Sequence, residues 1–337
     1  MPGTIETAGE RIRFDVAIGW VADLVEESTG SPLAPGSGDE TLRVVVERDR
    51  KPFPGDWDEA GRALARRDRE VVIRNAAQSG FDLLVHAWHS PPELIFRWRP
   101  GIELRAFRAF PARWRLRLGA MLTQYPALWR ASTAARPPLH AACVRIDQGT
   151  ALVVGMPGAG TSTVLAAEMA AGALPITDNL CVADARTVWG VAEPFRIEPW
   201  AVPDDVIALP TTRGRMSVVP ETRLPSARPD VVVLLERGRE TRVREADPAE
   251  LARLMVTSTY ACGELRRFWP LAATLAMTTG YGPALPPVLP VARALVDRLP
   301  CVGVALARPG IRLSDALGGY SARRSVPDAR DRVAITR

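Results

Sequence analysis

The chain of 337 residues has few of the residues on which several common protein classes depend. It contains only three histidines and four cysteines, Cys143, Cys181, Cys262 and Cys301, with no C-x-x-C spacing. This composition argues against a structural zinc site and against a disulfide framework. No run approaches the about 18 apolar residues of a membrane-spanning helix, and residues 1–15 have no apolar core of the signal-peptide type. We therefore expect a protein of the reducing cytoplasm without a membrane partner.

Lysine is almost absent, and arginine carries nearly all of the positive charge. Lys51 is the only lysine among 43 basic residues, which are opposed by 38 acidic ones. The formal net charge of +5 and the isoelectric point near 9.4 permit an anionic partner without requiring nucleic acid. Hydrophobic residues make up 47% of the chain, enough to bury a sizeable core in one large or two small domains.

The most informative stretch combines an apolar run, a glycine-rich turn and an Ala/Leu-rich segment. Residues 151–154 predict a strand, residues 155–160 a tight turn, and a helix is predicted to begin near Thr161. Glycines allow the backbone to fold so that successive N–H groups point inward. The N-terminus of the following helix adds a partial positive charge. This order is the one that a phosphate-binding loop requires, although a tight strand-to-helix connection would also explain it.

The turn matches the pattern G-x-x-x-x-G-K-[ST] except at one position. Gly155 and Gly160 fit, and Ser162 supplies the hydroxyl that faces magnesium in such loops. Thr161 stands where the lysine belongs, so the cation is missing. The candidate nucleotide-binding residues are Gly155, Gly158, Gly160, Thr161, Ser162 and Thr163.

The missing lysine affects binding and catalysis to different degrees. A charge-assisted hydrogen bond contributes roughly 1.5–3 kcal/mol, which is about ten- to a hundred-fold in nucleotide affinity. Loss of a group that stabilises transition-state charge costs about a hundred- to a thousand-fold in rate. Nucleotide binding is compatible with this loss, whereas efficient phosphoryl transfer is not.

Two further motifs flank the turn. His140 lies one strand upstream, in Leu-His-Ala-Ala, and Asp178 follows the helix in Ile-Thr-Asp-Asn. With these motifs, residues 139–310 resemble the C-terminal domain of HPr kinase/phosphorylases and the HPr-kinase-like proteins found in peptide-modifying gene clusters. In that family a similar strand precedes the phosphate loop, and a pair of aspartates follows its helix.

The resemblance implies a nucleotide site for ATP or ADP with Mg²⁺. In an active kinase Asp178 and His140 would be the catalytic residues, with His140 orienting Asp178, and Ser162 and Asp178 would hold the metal. The family's aspartate pair is tied to base catalysis and metal handling, and here Asn179 replaces the second aspartate. Both functions are therefore in question at this site.

Each of these residues also has a structural interpretation. His140 is equally explained as a core histidine with a satisfied side chain, and Asp178 as a helix or turn cap. A basic turn at residues 211–215 offers Arg213 or Arg215 as a replacement for the missing lysine, although most arginines of this chain are expected at the surface.

The rest of the chain predicts an α/β organisation in two parts. We expect an N-terminal α/β domain over residues 1–130, an HPr-kinase-like P-loop domain over residues 139–312, and a disordered, arginine-rich tail over residues 313–337. Strands of an antiparallel meander are predicted at residues 71–73, 82–86 and 94–98.

Two segments of the second part have distinctive patterns. The unbroken apolar run at residues 230–235 predicts a central strand buried on both faces. The sequence Asp247-Pro248 predicts the start of a helix, with a capping carboxylate followed by proline at the first helical position.

Residues 96–117 interleave arginines with aromatic residues, a composition that can bind nucleic acid by stacking on bases. No known nucleic-acid motif accompanies them. The stretch is better explained as a strand and a helix with core aromatics and a solvated face that carries Arg99, Arg105, Arg108 and Arg113.

Two functions fit the sequence as a whole. The first is a catalytically inactive, kinase-like accessory protein that binds a precursor peptide or a partner enzyme in peptide natural-product biosynthesis. The second is an ATP-dependent kinase of HPr-kinase type that phosphorylates a Ser or Thr hydroxyl of a peptide, with Asp178 as the base. The two substitutions, Thr161 and Asn179, favour the first.

Overall fold

The computed structural model describes residues 2–36, 38–156, 158–202 and 208–324. These residues form a mixed α/β fold with several sheets and helices, as the sequence predicts at this level. The helices are α1 (Gly19–Thr29), α2 (Glu103–Ala109), α3 (Pro111–Gly119), α4 (Tyr125–Thr133), α5 (Thr161–Ala170), α6 (Pro248–Ala261), α7 (Phe268–Thr279), α8 (Val288–Arg298) and α9 (Leu313–Arg324).

The first eight strands form one sheet in the order β1-β2-β3-β8-β7-β6-β5-β4. They are β1 (Pro2–Thr7), β2 (Glu10–Val16), β3 (Leu42–Glu47), β4 (Asp58–Gly61), β5 (Leu64–Arg67), β6 (Glu70–Ile73), β7 (Phe81–His86) and β8 (Glu93–Trp98). The predicted meander is confirmed, because β6 pairs antiparallel with β7 and β7 with β8. Strands β2, β3 and β8 pair in parallel, and β2 connects to β3 through α1.

The strands of the second part are distributed over three smaller sheets. They are β9 (Pro138–His140), β10 (Ala142–Ile146), β11 (Gly149–Gly155), β12 (Leu174–Thr177), β13 (Leu180–Ala183), β14 (Val188–Gly190), β15 (Phe195–Ile197), β16 (Ala208–Pro210), β17 (Met216–Val218), β18 (Ser226–Ala227), β19 (Val231–Arg237), β20 (Arg242–Glu245) and β21 (Cys301–Leu306). The largest of these sheets has the order β12-β10-β11-β19-β21-β20.

The predicted central strand is β19, and the structure confirms this position. Its neighbours β11 and β21 both pair with it in parallel. The residues Val232, Val233, Leu234 and Leu235 are all buried. A strand covered on both faces has no solvated side, and this explains its unbroken apolar sequence.

At two places the chain passes from one sheet to another between consecutive strands. The chain leaves β9 in the sheet β18-β14-β13-β9 and enters β10 in the six-stranded sheet, with only Ala141 between them. It leaves β12 in the six-stranded sheet and enters β13 in the smaller one, through Asp178 and Asn179. The backbone N–H of Ala141 donates to the carbonyl of Asn179 at 3.1 Å and joins the two corners. His140 and Asp178 therefore lie next to positions where the backbone turns from one sheet to another.

The corner lies at the same sheet edge as the glycine-rich turn after β11. Strands β11 and β12 both pair antiparallel with β10, so they run in the same direction. The loop follows the carboxyl end of β11, and Asp178 follows the carboxyl end of β12. In open α/β sheets this edge is the usual location of a ligand site.

The helices after β19 agree with the sequence except at the end of the chain. Asp247 caps α6 by accepting a hydrogen bond from the backbone N–H of Ala249 at 3.0 Å, as predicted. The expected disorder over residues 313–337 is wrong for residues 313–324, which form α9. Leu313 and Leu317 of this helix are buried in the core beneath α5, a contribution that a polar, arginine-rich composition did not reveal. Residues 325–337 lie outside the described residues.

The N-terminal sheet and the second part share a hydrophobic core. Phe268, Leu271 and Leu275 of α7 belong to the same buried cluster as Phe81 and Phe96 of the eight-stranded sheet. This shared core fixes the second part against the N-terminal strands. Within the part of the chain that the structure describes, no helix is long and apolar enough to cross a membrane.

Candidate functional site

The glycine-rich turn lies between β11 and α5, as the sequence predicts. Gly158 and Gly160 have positive φ angles of 88° and 102°, in the region that favours glycine. A Cβ atom on Gly155 would lie 2.8 Å from Cβ of Ala159 and 3.0 Å from the carbonyl oxygen of Leu235. The turn therefore needs glycine for conformation at two positions and for packing at a third.

The first turn of α5 presents Thr161, Ser162 and Thr163, all half-buried. Its N-cap is Gly160, and no side chain caps the helix. The N–H groups of a first helical turn have no partner within the helix and attract anions. Within the described residues, no arginine or lysine side chain hydrogen-bonds to the turn or to these three residues.

Asp178 is brought to the loop and is almost completely buried, with 4% of its surface exposed. Its Oδ2 atom accepts a hydrogen bond from the backbone N–H of Arg196 at 3.3 Å. Oδ1 has no hydrogen-bond partner among the described residues. Burial raises the pKa of the Asp178 carboxyl, and the nearby Ser162 hydroxyl and the Arg196 guanidinium oppose this rise. The structure thus places Ser162 beside Asp178, the pair predicted to hold a metal.

His140 lies on the other side of the corner. Its backbone N–H donates to Oγ1 of Thr259 at 3.0 Å, while its Nδ1 atom is buried with no hydrogen-bond partner among the described residues. Burial lowers the pKa of the imidazole, against opposing contributions from Glu264 and from the side chain of Asn179. A neutral imidazole with a free ring nitrogen is able to accept a proton or a hydrogen bond.

A group that the sequence did not reveal lies behind these residues. We call it the Arg196 cluster, and it consists of Arg196, Glu193 and Glu264. Nη1 of Arg196 lies 2.9 Å from Oε1 of Glu264, and Nη2 lies 3.9 Å from Oε2 of Glu193. Asn179 donates to Oε1 of Glu193 at 3.5 Å, and Gln124 of the preceding π-helical turn donates to Oε2 at 3.1 Å.

Of the two acids in the cluster, Glu193 has the pKa that departs further from its ordinary value. Its burial raises the pKa of the carboxyl to about 7, because the attraction of Arg196 does not offset desolvation and the repulsion of Glu264 and Asp178. The pKa of Glu264 moves the opposite way and is lowered, since its own desolvation is outweighed by Arg196 and by hydrogen bonds. A carboxyl with a pKa near neutrality in such a site is able to exchange protons at working pH.

The cations close to the corner are already engaged. Arg196 is shared between two carboxylates, as described above. Nε of Arg215 lies 3.4 Å from Oε1 of Glu198. The charge of Arg215 has a small opposing effect on the raised pKa of Asp178. The side chain of Arg213, the other predicted substitute for the lysine, lies outside the described residues.

Three acids and two arginines meet at the corner. Asp178, Glu193 and Glu264 face the guanidinium of Arg196, and the guanidinium of Arg223 lies near Glu193 and donates to its backbone carbonyl at 3.2 Å. Within the described residues there is no group of three or more His, Cys, Asp or Glu side chains that would hold a metal ion by itself. Ser162 and Asp178 would therefore need ligands from a bound phosphate to complete a magnesium site.

Two comparisons with known proteins found no match for this chain. No protein-family model matches the sequence, and no curated protein matches it with significant similarity.

Proposed function

We propose that the chain is a kinase-like accessory protein with an HPr-kinase-like P-loop part and a degenerate nucleotide site. In this proposal it does not transfer phosphoryl groups, and it binds a precursor peptide or a partner enzyme in peptide natural-product biosynthesis. The observation that supports the proposal best is a glycine-rich turn between β11 and α5 to which no described arginine or lysine side chain donates a hydrogen bond. The acids at the corner supply no positive charge that would replace the missing lysine.

The energetic argument for inactivity combines two effects. A transferring phosphoryl group carries negative charge that catalysis must neutralise, and Thr161 offers no positive charge for this. Asp178 adds a buried acid beside Ser162 at the start of α5. Negative charge in a site of low dielectric opposes a polyphosphate unless magnesium intervenes.

One observation supports a second candidate, the ATP-dependent Ser/Thr peptide kinase. Asp178 has a free Oδ1 atom and lies beside Ser162, an arrangement suited to magnesium or to proton abstraction from a hydroxyl. Glu193 would supply the second carboxylate that Asn179 does not. This candidate requires a cation for the γ-phosphate that none of the described side chains provides at the loop.

Assays of ATP hydrolysis and of peptide phosphorylation with magnesium test the proposal. We expect no turnover above background, and no difference between the wild type and Asp178→Ala, because the missing charge limits the rate. Asp297→Ala, which removes an exposed carboxylate on α8, is the matched control. Turnover that Asp178→Ala abolishes and Asp297→Ala preserves would establish the kinase instead.

Calorimetric titration tests the binding half of the proposal. Peptides encoded beside the gene, and the enzymes encoded with them, are the ligands to titrate against the full chain. We expect micromolar or tighter binding to at least one of them. Consistent absence of heat would refute a role in binding these partners, whatever the assays of hydrolysis show.

A further inference from the structure

We propose that a surface formed by the two residues that flank α2, by α3 and by the turn Leu265–Arg267 binds an acidic peptide segment that also carries apolar side chains. We call it the basic–apolar surface, and its residues are Arg113, Arg117, Arg267, Ile102, Phe110 and Leu116. The proposal deepens the proposed function and rests on it in one respect, that the partner is a peptide.

The apolar part of the surface consists of side chains that have no core to enter. Ile102 is 74% exposed, Phe110 63% and Leu116 40%. The expectation that the aromatics of residues 96–117 are core residues is confirmed for Phe96 and Trp114, but it is wrong for Phe110. Several large apolar side chains exposed close together are a typical feature of a protein interaction site.

The arginines of the surface, Arg113, Arg117 and Arg267, form no ion pair with any described residue, and the neighbouring Arg105 and Arg108 form none either. Arg105, Arg108 and Arg113 are exposed, as the sequence predicts, and Arg99 is half-buried in an ion pair with Asp82. Within the described residues, none of the three exposed arginines forms an ion pair. Their charge is therefore available to a ligand.

Positive charge is concentrated where α3 meets the turn before α7. Burial lowers the pKa of the Arg117 guanidinium, and the neighbouring charges of Arg267 and Arg113 lower it further. Arg117 also lies 4.5 Å from the ring centroid of Trp114. Three cations that repel one another in the free protein gain stability when an anion binds between them.

A strained backbone segment holds two of these cations. Nη1 of Arg117 donates to the carbonyl of Gln78, and Nη2 of Arg267 donates to its side-chain oxygen, both at 3.4 Å. Asn75, Ala77 and Gln78 have φ angles of 49°, 50° and 57°. Non-glycine residues in this region cost free energy and persist where the surroundings fix them, often at functional sites.

Glu103 offsets only part of the positive charge of the surface. Glu103, the first residue of α2, accepts hydrogen bonds from the side chain of Asn75 at 2.7 Å and from the backbone N–H of Gly101 at 2.9 Å. Its carboxylate is held by neutral donors rather than by an arginine. The surface therefore keeps a net positive charge.

The spacing of the side chains favours a peptide over a membrane or a nucleic acid. Phe110, the N-cap residue of α3, is followed at intervals of three residues by Arg113 and Leu116 of the helix, so apolar and cationic groups alternate along this segment. A helix that lies on a membrane separates its apolar face from its charged face. Nucleic-acid binding by stacking uses several accessible aromatic rings, whereas this surface offers one, Phe110, since Trp114 is buried. An acidic segment with interspersed apolar residues matches the alternation.

The basic–apolar surface is continuous with the candidate site. Glu264 of the Arg196 cluster immediately precedes the turn that carries Arg267. The hydroxyl of Tyr125, in the helix that continues from α3, donates to the carbonyl of Glu264 at 2.8 Å. A peptide bound at the surface would thus lie within one short turn of the buried carboxylates.

Fluorescence anisotropy with the full chain tests the proposal. The probe is a labelled synthetic peptide in which Glu and Leu alternate, and the reference probe has Lys in place of Glu. We expect micromolar binding of the acidic probe and none of the basic one. The double substitution Arg113→Glu with Arg267→Glu should weaken binding about ten- to a hundred-fold, and Phe110→Ala several-fold.

Two controls separate the surface from general charge and hydrophobicity. Arg253→Glu reverses an exposed arginine on α6, and Leu285→Ala removes an exposed leucine, so both should change the affinity less than about two-fold. Circular dichroism of every variant shows whether it is folded. If a charge-reversal variant does not fold, Arg113→Ala is tested in its place.

The outcomes are distinct. Binding of the acidic probe that survives the double reversal would refute this surface and leave a peptide-binding function intact. Failure of the wild type to bind the acidic probe would refute the surface, while gene-encoded partners that bind without it would sustain the proposed function. Preferred binding of single-stranded RNA or of phosphatidylserine vesicles, lost on the double reversal, would assign the surface to another class of partner.

Discussion

The substitution Thr161→Lys is expected to raise the affinity for ATP or ADP about ten- to a hundred-fold. Gly158 and Gly160 already have positive φ angles, and Ser162 already lies beside Asp178. The lysine would therefore add one charge-assisted contact of about 1.5–3 kcal/mol to a formed turn without refolding it. Calorimetric titration of both proteins with nucleotide and magnesium measures the gain.

A matched control adds the same charge elsewhere on the same helix. Ala170→Lys changes the exposed last residue of α5, far along the helix from the loop, and should leave the affinity unchanged. If both lysines raise the affinity equally, the effect is one of net charge. Then the loop would not be the phosphate site.

A second result would show a rebuilt site rather than a lost one. If Arg213 or Arg215 already binds phosphate, the new lysine meets a like charge and gains nothing. In that case the wild type binds nucleotide appreciably, and Arg213→Ala or Arg215→Ala abolishes the binding. The ion pair between Arg215 and Glu198 predicts instead that Arg215→Ala has a small effect.

The second large effect concerns the stability of the fold as a function of pH. The pKa of Glu193 is raised from its ordinary value of 4.5 to about 7 in the folded protein. The folded state then holds a proton that the unfolded state has lost between these values, so the free energy of unfolding falls as the pH rises through this window. The contribution is fully present below about pH 4.5 and lost above about pH 7, and it amounts to about 3 kcal/mol.

The variant Glu193→Gln removes this titration while keeping a side chain of similar size. We expect the variant to match the wild type at about pH 4.5 and to exceed its free energy of unfolding by about 3 kcal/mol at about pH 8. Urea unfolding at a series of pH values measures the difference. Glu240→Gln, which changes an exposed carboxylate with a side chain 74% exposed, should give no pH-dependent difference.

The other titrating groups of the corner also contribute to the pH dependence of the free energy of unfolding. The raised pKa of Asp178 acts in the same direction as that of Glu193, while the lowered pKa values of Glu264 and His140 act in the opposite direction. Because Asp178 and Glu264 both interact with Glu193, the difference between wild type and variant reports the titration of Glu193 together with its effect on these two acids. A constant difference across the pH range would contradict a buried carboxyl that is protonated near neutrality.

Much of the fold follows from local sequence patterns. Strand β11 and the start of α6 lie where the sequence predicts them, because apolar runs and the Asp247-Pro248 cap act over a few residues. The central position of β19 follows from the same reasoning, since only a strand covered on both faces is apolar throughout. Helix α9 shows the limit of this reasoning, because two buried leucines on a polar segment have a partner only in the folded chain.

The residues of the candidate site also divide into those that the sequence indicates and those that only the structure brings together. The turn, its glycines and the positions of Ser162 and Asp178 were visible in the sequence, since the glycine spacing and the two flanking motifs lie within about 40 residues of one another. Glu193 and Glu264 carried no such signal. They come from separate segments, near β15 and after α6, and no spacing connects them.

The sequence by itself determined a strand, a glycine turn and a helix without a lysine, because these depend on backbone conformation and on the residue at one position. Only the tertiary structure decided that three acids converge on Arg196, that Glu193 is buried enough to hold its proton near neutrality, and that Phe110 is left exposed. Charge interactions and burial depend on distances between segments that the fold alone brings together.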